Sequence, residues 1–437
     1  MEQSPESIRL RSNKKGKCEA LKTFTHKVGA CVLLGTNIRC AIIGCRNGGI
    51  MRIILYTGKG GVGKTCVAAA TACSMAAKGK KVLVISTDQA HSLGDALDYK
   101  LMADPIEVTT NLYAMEVDAI TECERAWGTL KEFLKQLMVS KSGESLEAEE
   151  LLVFPGFEEL TALFKIKDIY EEGQYDVLIV DCAPTGETLS LLKFPEMFGE
   201  MIGKMLPMKR KAMKIAGPAV SKLLKVPMPK DTVFDEIEKL VDKMNGLREL
   251  MWNKEIVSIR IVTTPEKIVI KEAKRNFSYL HLFNYNVDAI IVNKVYPKES
   301  LSGYFAPWIK NQEEALEDIR ESFAGVPIFY LELLRHELRT VERLKRVSAK
   351  LYGDRNPEEV LFSNTVFSTE KIGDKEIFAI VLPFFDLKDM ELTQKGDELL
   401  LVIKNERRKF ILPNKLKNKE ICGAKYEDGV LKLAFEA

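Results

Sequence analysis

Eight consecutive residues, Gly58-Lys59-Gly60-Gly61-Val62-Gly63-Lys64-Thr65, constrain this chain more than any other feature. They fit G-x-x-x-x-G-K-[ST] without a gap. Before them, Arg52 to Tyr56 is a short apolar run that predicts a buried strand. After them, Cys66 to Ala77 is Ala-rich and predicts a helix. A strand turning through glycines into a helix is the setting of a phosphate-binding loop. The glycines let backbone N–H groups curl around phosphates, and the helix N-terminus adds positive potential. On this reading Gly58 through Cys66 hold ATP, Lys64 reaches the β- and γ-phosphates, and the Thr65 hydroxyl ligates Mg²⁺. A chance Gly-rich turn is the competing reading, and the flanking strand and helix argue against it.

Two further apolar runs end in aspartate. Lys81 to Ile85 leads into Ser86-Thr87-Asp88, and Tyr175 to Val180 leads into Asp181. In open α/β sheets, ligands sit beyond the carboxyl ends of the strands. Asp181 is therefore assigned to Mg²⁺, through a water, and Asp88 to the orientation or activation of the attacking water. Helix N-caps are the structural alternative for both, since Asp is common at such turns.

The pattern K-G-G-V-G-K-T resembles the deviant Walker A loop of the dimeric ATPases that include MinD, ParA, nitrogenase reductase and ArsA. The resemblance implies that Lys59 crosses a homodimer interface to the partner's nucleotide. There it would supply charge as an arginine finger does elsewhere. The segments Ser86-Thr-Asp88-Gln-Ala-His91-Ser-Leu-Gly-Asp95 and Asp181-Cys-Ala-Pro-Thr-Gly186-Glu-Thr188 look like the two switches of the ArsA family. That family comprises arsenite-pump ATPases and targeting ATPases for tail-anchored membrane proteins. Phe154-Pro-Gly-Phe-Glu-Glu159 resembles its P-G-x-x-E segment. Ile290 to Asn293 resembles the strand whose Asn contacts adenine. Glu337-Leu-Arg339 resembles the loop that closes over the base. The likeness spans about 51–350.

Two departures qualify the resemblance. Duplicated pumps carry two such loops and this chain has one, so a complete site needs a homodimer. Eukaryotic targeting factors carry a C-x-x-C zinc clasp, and no C-x-x-C occurs here, so no structural zinc is expected. Between Met197 and Met228 lie six of the fifteen methionines, and Met201 to Lys230 contains no acidic residue. In the targeting factors this region lines a client groove, and methionine suits varied apolar partners. An amphipathic helix packed on its own core is the plainer reading. Trivalent arsenic prefers clustered thiolates. After Met51 the cysteines are Cys66, Cys73, Cys123, Cys182 and Cys422, with no close pair, so no metalloid ligand is named.

The net charge of +2 over 437 residues points to no nucleic-acid partner. No run reaches the ~18 apolar residues of a transmembrane helix. Residues 1–50 nevertheless hold nine Lys/Arg against three Asp/Glu and four of the nine cysteines. A targeting segment, a disordered basic tail, or untranslated sequence ahead of a start at Met51 each fit; we favour the last.

From about Val366 the pattern turns to short alternating strands separated by Gly373-Asp374, Lys395-Gly396-Asp397 and Asp428-Gly429. That predicts an antiparallel sandwich. Ala424 to Leu431 is similar to the A-x-x-x-[ND]-G-V-L motif of alpha-crystallin (small heat-shock) domains, which implies protein–protein contact or client holding.

The sequence thus predicts an α/β doubly wound, mostly parallel P-loop ATPase domain over 51–350, with a helical Met-rich part at about 190–250. A linker over 351–365 and an all-β sandwich over 366–437 follow. The expected cofactors are ATP and Mg²⁺. The expected setting is cytoplasmic, peripheral to the membrane at most. The expected partners are a second copy and either a membrane transporter or a hydrophobic client. The hydrolysis would drive arsenite or other anion transport or, alternatively, targeting of hydrophobic or tail-anchored proteins. A MinD/ParA-like positioning ATPase is the remote alternative.

Overall fold

The computed structural model describes residues 50–88, 92–118, 157–183, 231–363, 365–404 and 406–436. The N-terminal extension to residue 49, His91, Cys123, most of the second switch segment and the whole Met-rich stretch lie outside the described residues. The chain divides into two compact units, one holding Met51–Val366 and one holding Phe367–Ala437.

In the first unit β1 (Arg52–Thr57) leads into α1 (Lys64–Ala77), and β2 (Val82–Ser86) into α2 (Ser92–Leu97). Then come β3 (Ile106–Thr109), β4 (Leu112–Glu116), α3 (Phe157–Glu172), β5 (Val177–Asp181) and α4 (Asp231–Trp252). The order continues through β6 (Val257–Thr263), α5 (Lys267–Leu282), β7 (Val287–Val295), α6 (Pro307–Ser322), β8 (Ile328–Glu332) and α7 (Val341–Tyr352). The eight strands form one sheet in the order β3-β4-β2-β5-β1-β6-β7-β8. Every pairing is parallel except β3 with β4. The sheet therefore has the doubly wound architecture that the alternation of strands and helices predicts.

A parallel sheet covered on both faces needs strands that are apolar throughout. β1, β2, β5 and β6 are buried at every position. Ile54, Val84 and Ile179 share one core with the Ala-rich face of α1 and with Leu344, Val347 and Leu351 of α7. Small alanines let α1 lie close on the sheet, which sets where its first turn stands.

The sheet also carries a buried charge that no sequence pattern marks. Arg260 sits mid-strand in β6 and is fully buried. Its Nε donates to Asp288 Oδ1 at 3.0 Å, and its Nη1 donates to the hydroxyls of Tyr56 and Tyr352 at 3.2 and 3.3 Å. Its Nη2 donates to the carbonyl of Pro357 at 2.7 Å. Arg52 Nε similarly donates to Glu358 O at 2.9 Å, Asp288 accepts from Leu361 N at 3.3 Å, and Asn286 Nδ2 donates to Phe362 O at 3.0 Å. The stretch expected as a linker is thus a strap whose backbone carbonyls and amides satisfy buried side chains of the sheet. It continues the first unit as far as Val366.

The second unit holds β9 (Phe367–Ile372), β10 (Lys375–Val381), β11 (Met390–Lys395), β12 (Glu398–Ile403), β13 (Glu406–Ile411), β14 (Ile421–Glu427) and β15 (Val430–Glu436). They form a four-stranded sheet, β14-β15-β10-β9, and a three-stranded sheet, β11-β12-β13. All pairs are antiparallel. Phe367 of the larger sheet packs on Phe410 of the smaller, ring centroids 5.3 Å apart. Asp428 and Gly429 both take positive φ (49° and 73°), as a two-residue hairpin turn between β14 and β15 requires.

Removing one partner of a fully buried pair leaves a charge uncompensated. Asp288→Ala is therefore expected to destabilise the first unit by about 3–5 kcal/mol. All three tryptophans (Trp127, Trp252 and Trp308) belong to that unit, so its unfolding is read selectively by tryptophan fluorescence in urea. A midpoint equal to the parent's would contradict the structural role of the pair.

Candidate functional site

The loop from Gly58 to Gly63 leaves the carboxyl end of β1, in the middle of the sheet, and is gripped from two sides. A Cβ on Gly58 would lie 2.2 Å from the Val262 carbonyl oxygen at the end of β6. A Cβ on Gly63 would lie 2.4 Å from Asn293 Nδ2 on β7, and Gly63 also takes φ +89°. Only glycine fits at either place. Gly60 and Gly61, by contrast, meet nothing within 4 Å. The loop is tight where it joins the fold and open at its crest, which leaves room for phosphate oxygens against its N–H groups.

Asn293 braces this loop: its Nδ2 donates to Val62 O at 2.8 Å, while its Oδ1 accepts from Lys294 N at 2.8 Å. Lys294 Nζ donates to Gly61 O at 2.7 Å. The side chain that resemblance assigns to adenine is here engaged with the loop itself. The Lys294 contact was not foreseen; no pattern in the sequence singles that lysine out.

Lys64 is buried in the cradle, with its Nζ 3.4 Å from the Lys59 carbonyl. The Lys59 ammonium lies 3.6 Å from Glu272 Oε2 on α5. The Thr65 hydroxyl is 3.1 Å from Ser92 Oγ at the start of α2.

Asp181 ends β5 beside this first turn. It is fully buried, and neither carboxylate oxygen has a hydrogen-bond partner. Burial pushes its carboxyl up to about 7, the Asp88 carboxylate adds to the rise, and the Thr65 hydroxyl and Lys64 ammonium pull the other way. Two orphaned oxygens in a native interior call for a missing positive partner. With the Thr65 hydroxyl beside them, they fit a hard, oxygen-preferring divalent cation such as Mg²⁺.

The two switch segments are stitched together where they leave the sheet. Thr87 N donates to Asp181 O at 2.9 Å, and Ala183 N reaches Thr87 Oγ1 at 3.4 Å. Asp88 follows directly, its N–H on Ser86 Oγ at 3.2 Å. Lys59, Lys64, Thr65, Asp88 and Asp181 thus gather at the carboxyl edge of the central strands. Glu337 and Arg339 lie on the loop between β8 and α7. Leu338 O of that loop meets Cys66 Sγ at 3.9 Å. Arg339 turns toward α2, with Nη2 3.2 Å from Asp98 Oδ1.

Burial favours the protonated form at three thiols, Cys66, Cys73 and Cys182. Burial raises Cys66 and lifts Cys73 to about 12, and it raises Cys182, which abuts Asp181. Among the described residues no group of three His, Cys, Asp or Glu side chains is placed to hold a metal ion.

Asp181 gives a signed pH prediction for the protein free of metal and nucleotide. Its carboxyl is raised from the usual 3.8 to about 7. Its contribution to stability is therefore fully present below about pH 4 and lost as pH rises through about 7. Buried His281, pushed down to about 4, acts in the opposite sense over much of this range, so the comparison must be with a variant. Asp181→Asn is expected to exceed the parent in stability by roughly 2–4 kcal/mol at pH 8, with the gap closing toward pH 4. Urea titration followed by tryptophan fluorescence at the two pH values checks this; a pH-independent gap would refute the buried-charge account.

Comparison with known proteins agrees with the geometry. The ArsA ATPase family, described as Anion-transporting ATPase, matches residues 51–353, and the HSP20-like domain found in ArsA matches residues 373–435. "Putative arsenical pump-driving ATPase 1" of Aquifex aeolicus (strain VF5) is 37% identical, over 86% of this chain and 98% of that protein. "Putative arsenical pump-driving ATPase" of Chlorobaculum tepidum is 31% identical, over 88% of this chain and 96% of that protein. "ATPase ASNA1 homolog 2" of Paramecium tetraurelia is 27% identical, over 68% of this chain and 92% of that protein. With a nucleotide cradle on the central strand and an HSP20-like sandwich after it, this chain belongs to the ArsA ATPase family.

Proposed function

We propose that the chain is a homodimeric Mg²⁺-dependent ATPase that couples ATP hydrolysis to transport or targeting. The observation that carries the cation requirement is the pair of orphaned oxygens on buried Asp181, next to the Thr65 hydroxyl. Bound Mg²⁺ would offset negative charge on the phosphates. The backbone of residues 60–65 and the Lys64 ammonium orient the same phosphates. Asp88 stands on the neighbouring switch and accepts a hydrogen bond from the attacking water, fixing its line of approach. Lys59 is half-exposed and bound to Glu272 by a single contact. Such a pair is worth little and is released at small cost, which leaves Lys59 able to reach a second copy's nucleotide.

For the cargo, the thiols are the discriminating observation. Trivalent arsenic needs thiolates converging on one point. Cys66, Cys73 and Cys182 are instead raised by burial, and Cys422 lies in the other unit. With no group of three His, Cys, Asp or Glu side chains placed to hold a metal ion among the described residues, hydrophobic or tail-anchored protein clients are the reading we favour over arsenite. The Met-rich stretch that would receive such clients lies outside the described residues. The names of the Aquifex and Chlorobaculum relatives keep the arsenical reading as the alternative.

The test is steady-state ATPase activity of the full chain with and without Mg²⁺, and with arsenite or a hydrophobic helical peptide added. Asp88→Asn should lower turnover by at least about 100-fold while ATP binding stays within a few-fold of the parent. Lys64→Ala should weaken ATP binding itself, read with a fluorescent nucleotide. Parental turnover in Asp88→Asn would remove Asp88 from the water-positioning role. Stimulation by arsenite alone, lost on cysteine replacement, would establish the pump reading; stimulation by peptide alone would establish the client reading.

A further inference from the structure

α2 is only six residues long, yet it is fastened at both ends. At its start Ser92 Oγ stands 3.1 Å from Thr65 Oγ1. At its far end three bonds tie it to the loop between β8 and α7. Thr340 N donates to Ala96 O at 3.2 Å, Arg339 Nε donates to Asp95 O at 3.3 Å, and Arg339 Nη2 donates to Asp98 Oδ1 at 3.2 Å. The backbone at Thr340 is held at φ 74°, ψ 142°, outside the regions a β-branched residue prefers. Such a conformation persists only where neighbouring contacts impose it. Here it aims the N–H at Ala96. The same loop also touches the first turn of α1 through Leu338 O and Cys66 Sγ. One short loop therefore bridges the helix that follows the phosphate cradle and the helix that carries Ser92 to Thr65. Arg339 lines a cleft of about 440 Å³ with Asp95, Asp98 and Glu116.

We infer that Arg339 is a positioning residue that acts through α2: with Asp98 and the Thr340 amide it latches the loop to α2, and the latch sets how the first switch meets Thr65. The inference rests on the ATP-hydrolysing reading above. Both side chains of the pair are about half exposed, 49% and 59%. The latch is accordingly weak enough to open and close during a cycle. Base recognition by Arg339 is a different assignment and predicts different kinetics.

The experiment uses the full chain with Arg339→Ala, Asp98→Gly and the double variant. Glycine is chosen at 98 because Asp98 takes φ 54°, where alanine would add strain of its own. Turnover is measured against ATP and against GTP. Each single variant is expected to lower kcat about two- to fivefold with little change in KM. The double variant should be no worse than Arg339→Ala alone, because that change already removes the Asp98 contact along with the bond to Asp95 O. Asp98→Asn, which keeps an acceptor for the guanidinium, should recover part of the loss. The ATP-to-GTP preference should not move. Hydrogen exchange gives a readout that needs no turnover: peptides covering 92–100 and 334–342 should lose protection together in either single variant. Additive losses, two silent single variants, or a changed ATP-to-GTP preference in Arg339→Ala alone would each overturn the latch. Absence of any ATPase activity in the parent would overturn the proposed function instead, and the exchange experiment would still decide the latch.

Discussion

The loop from Gly58 to Gly63 runs closer to its neighbours than any side chain permits, and the rest of the site depends on that approach. At 2.2 Å from Val262 O and 2.4 Å from Asn293 Nδ2, an added Cβ would have to displace the backbone of β6 or the Asn293 amide that braces the loop. The cradle is thus fixed by the two strands to one side of β1. The strands to the other side, β5 and β2, deliver Asp181 and Asp88. Because all these strands are parallel, their carboxyl ends converge on one edge of the sheet. Catalytic candidates far apart in sequence then need only short extensions to meet.

Beneath that edge, the sheet carries a fully buried Arg260–Asp288 pair. A buried pair is weak evidence for stability, since desolvation offsets much of the attraction. Here it has another consequence. Arg260 and Asp288, joined by Arg52 and Asn286, each take a backbone group from residues 357–362. Polar groups that need partners in the core draw the strap onto the sheet. The final helix of the unit, α7, packs on α1, and its Tyr352 hydroxyl lies 2.9 Å from Tyr56 and 3.1 Å from Thr71. Sheet, strap and α1 are coupled through one polar network.

Much of this was legible in the sequence, for specific reasons. The Gly-rich loop forces a strand before it and a helix after it, so β1 and α1 followed directly. The apolar runs leading to Asp88 and Asp181 predict buried strands, and both are parallel strands of one sheet. The Asp428-Gly429 pair demanded a tight hairpin, and the structure has one. What could not be read was polar and long-range. Arg260 breaks an apolar strand, and nothing near it in sequence names Asp288 or Pro357 as its partners. The expected linker looked like a break because Asn356-Pro357 ends a helix; its backbone is claimed by residues some 70 to 300 positions away. Arg339 fell within a recognisable motif, but a motif records residue types and not the direction of a guanidinium.

The site combines parts of unequal stiffness, and that inequality bears on how it can work. The cradle is braced by Asn293 and Lys294 and admits no larger residue at its ends. On the switch side the contacts are few: Thr65 to Ser92, Lys59 to Glu272, and Arg339 to Asp98 and the Asp95 carbonyl. Asp181 lies between the two regimes, buried with its oxygens unmatched and its carboxyl raised toward neutral. A cation that satisfied those oxygens would also draw on the Thr65 hydroxyl, the same group that holds Ser92. On the proposed reading, cation binding and the seat of the first switch would share one hydroxyl, its lone pair toward the cation and its O–H toward Ser92. That shared group would give nucleotide state a physical route to α2, and from α2 through Arg339 to the loop beyond it.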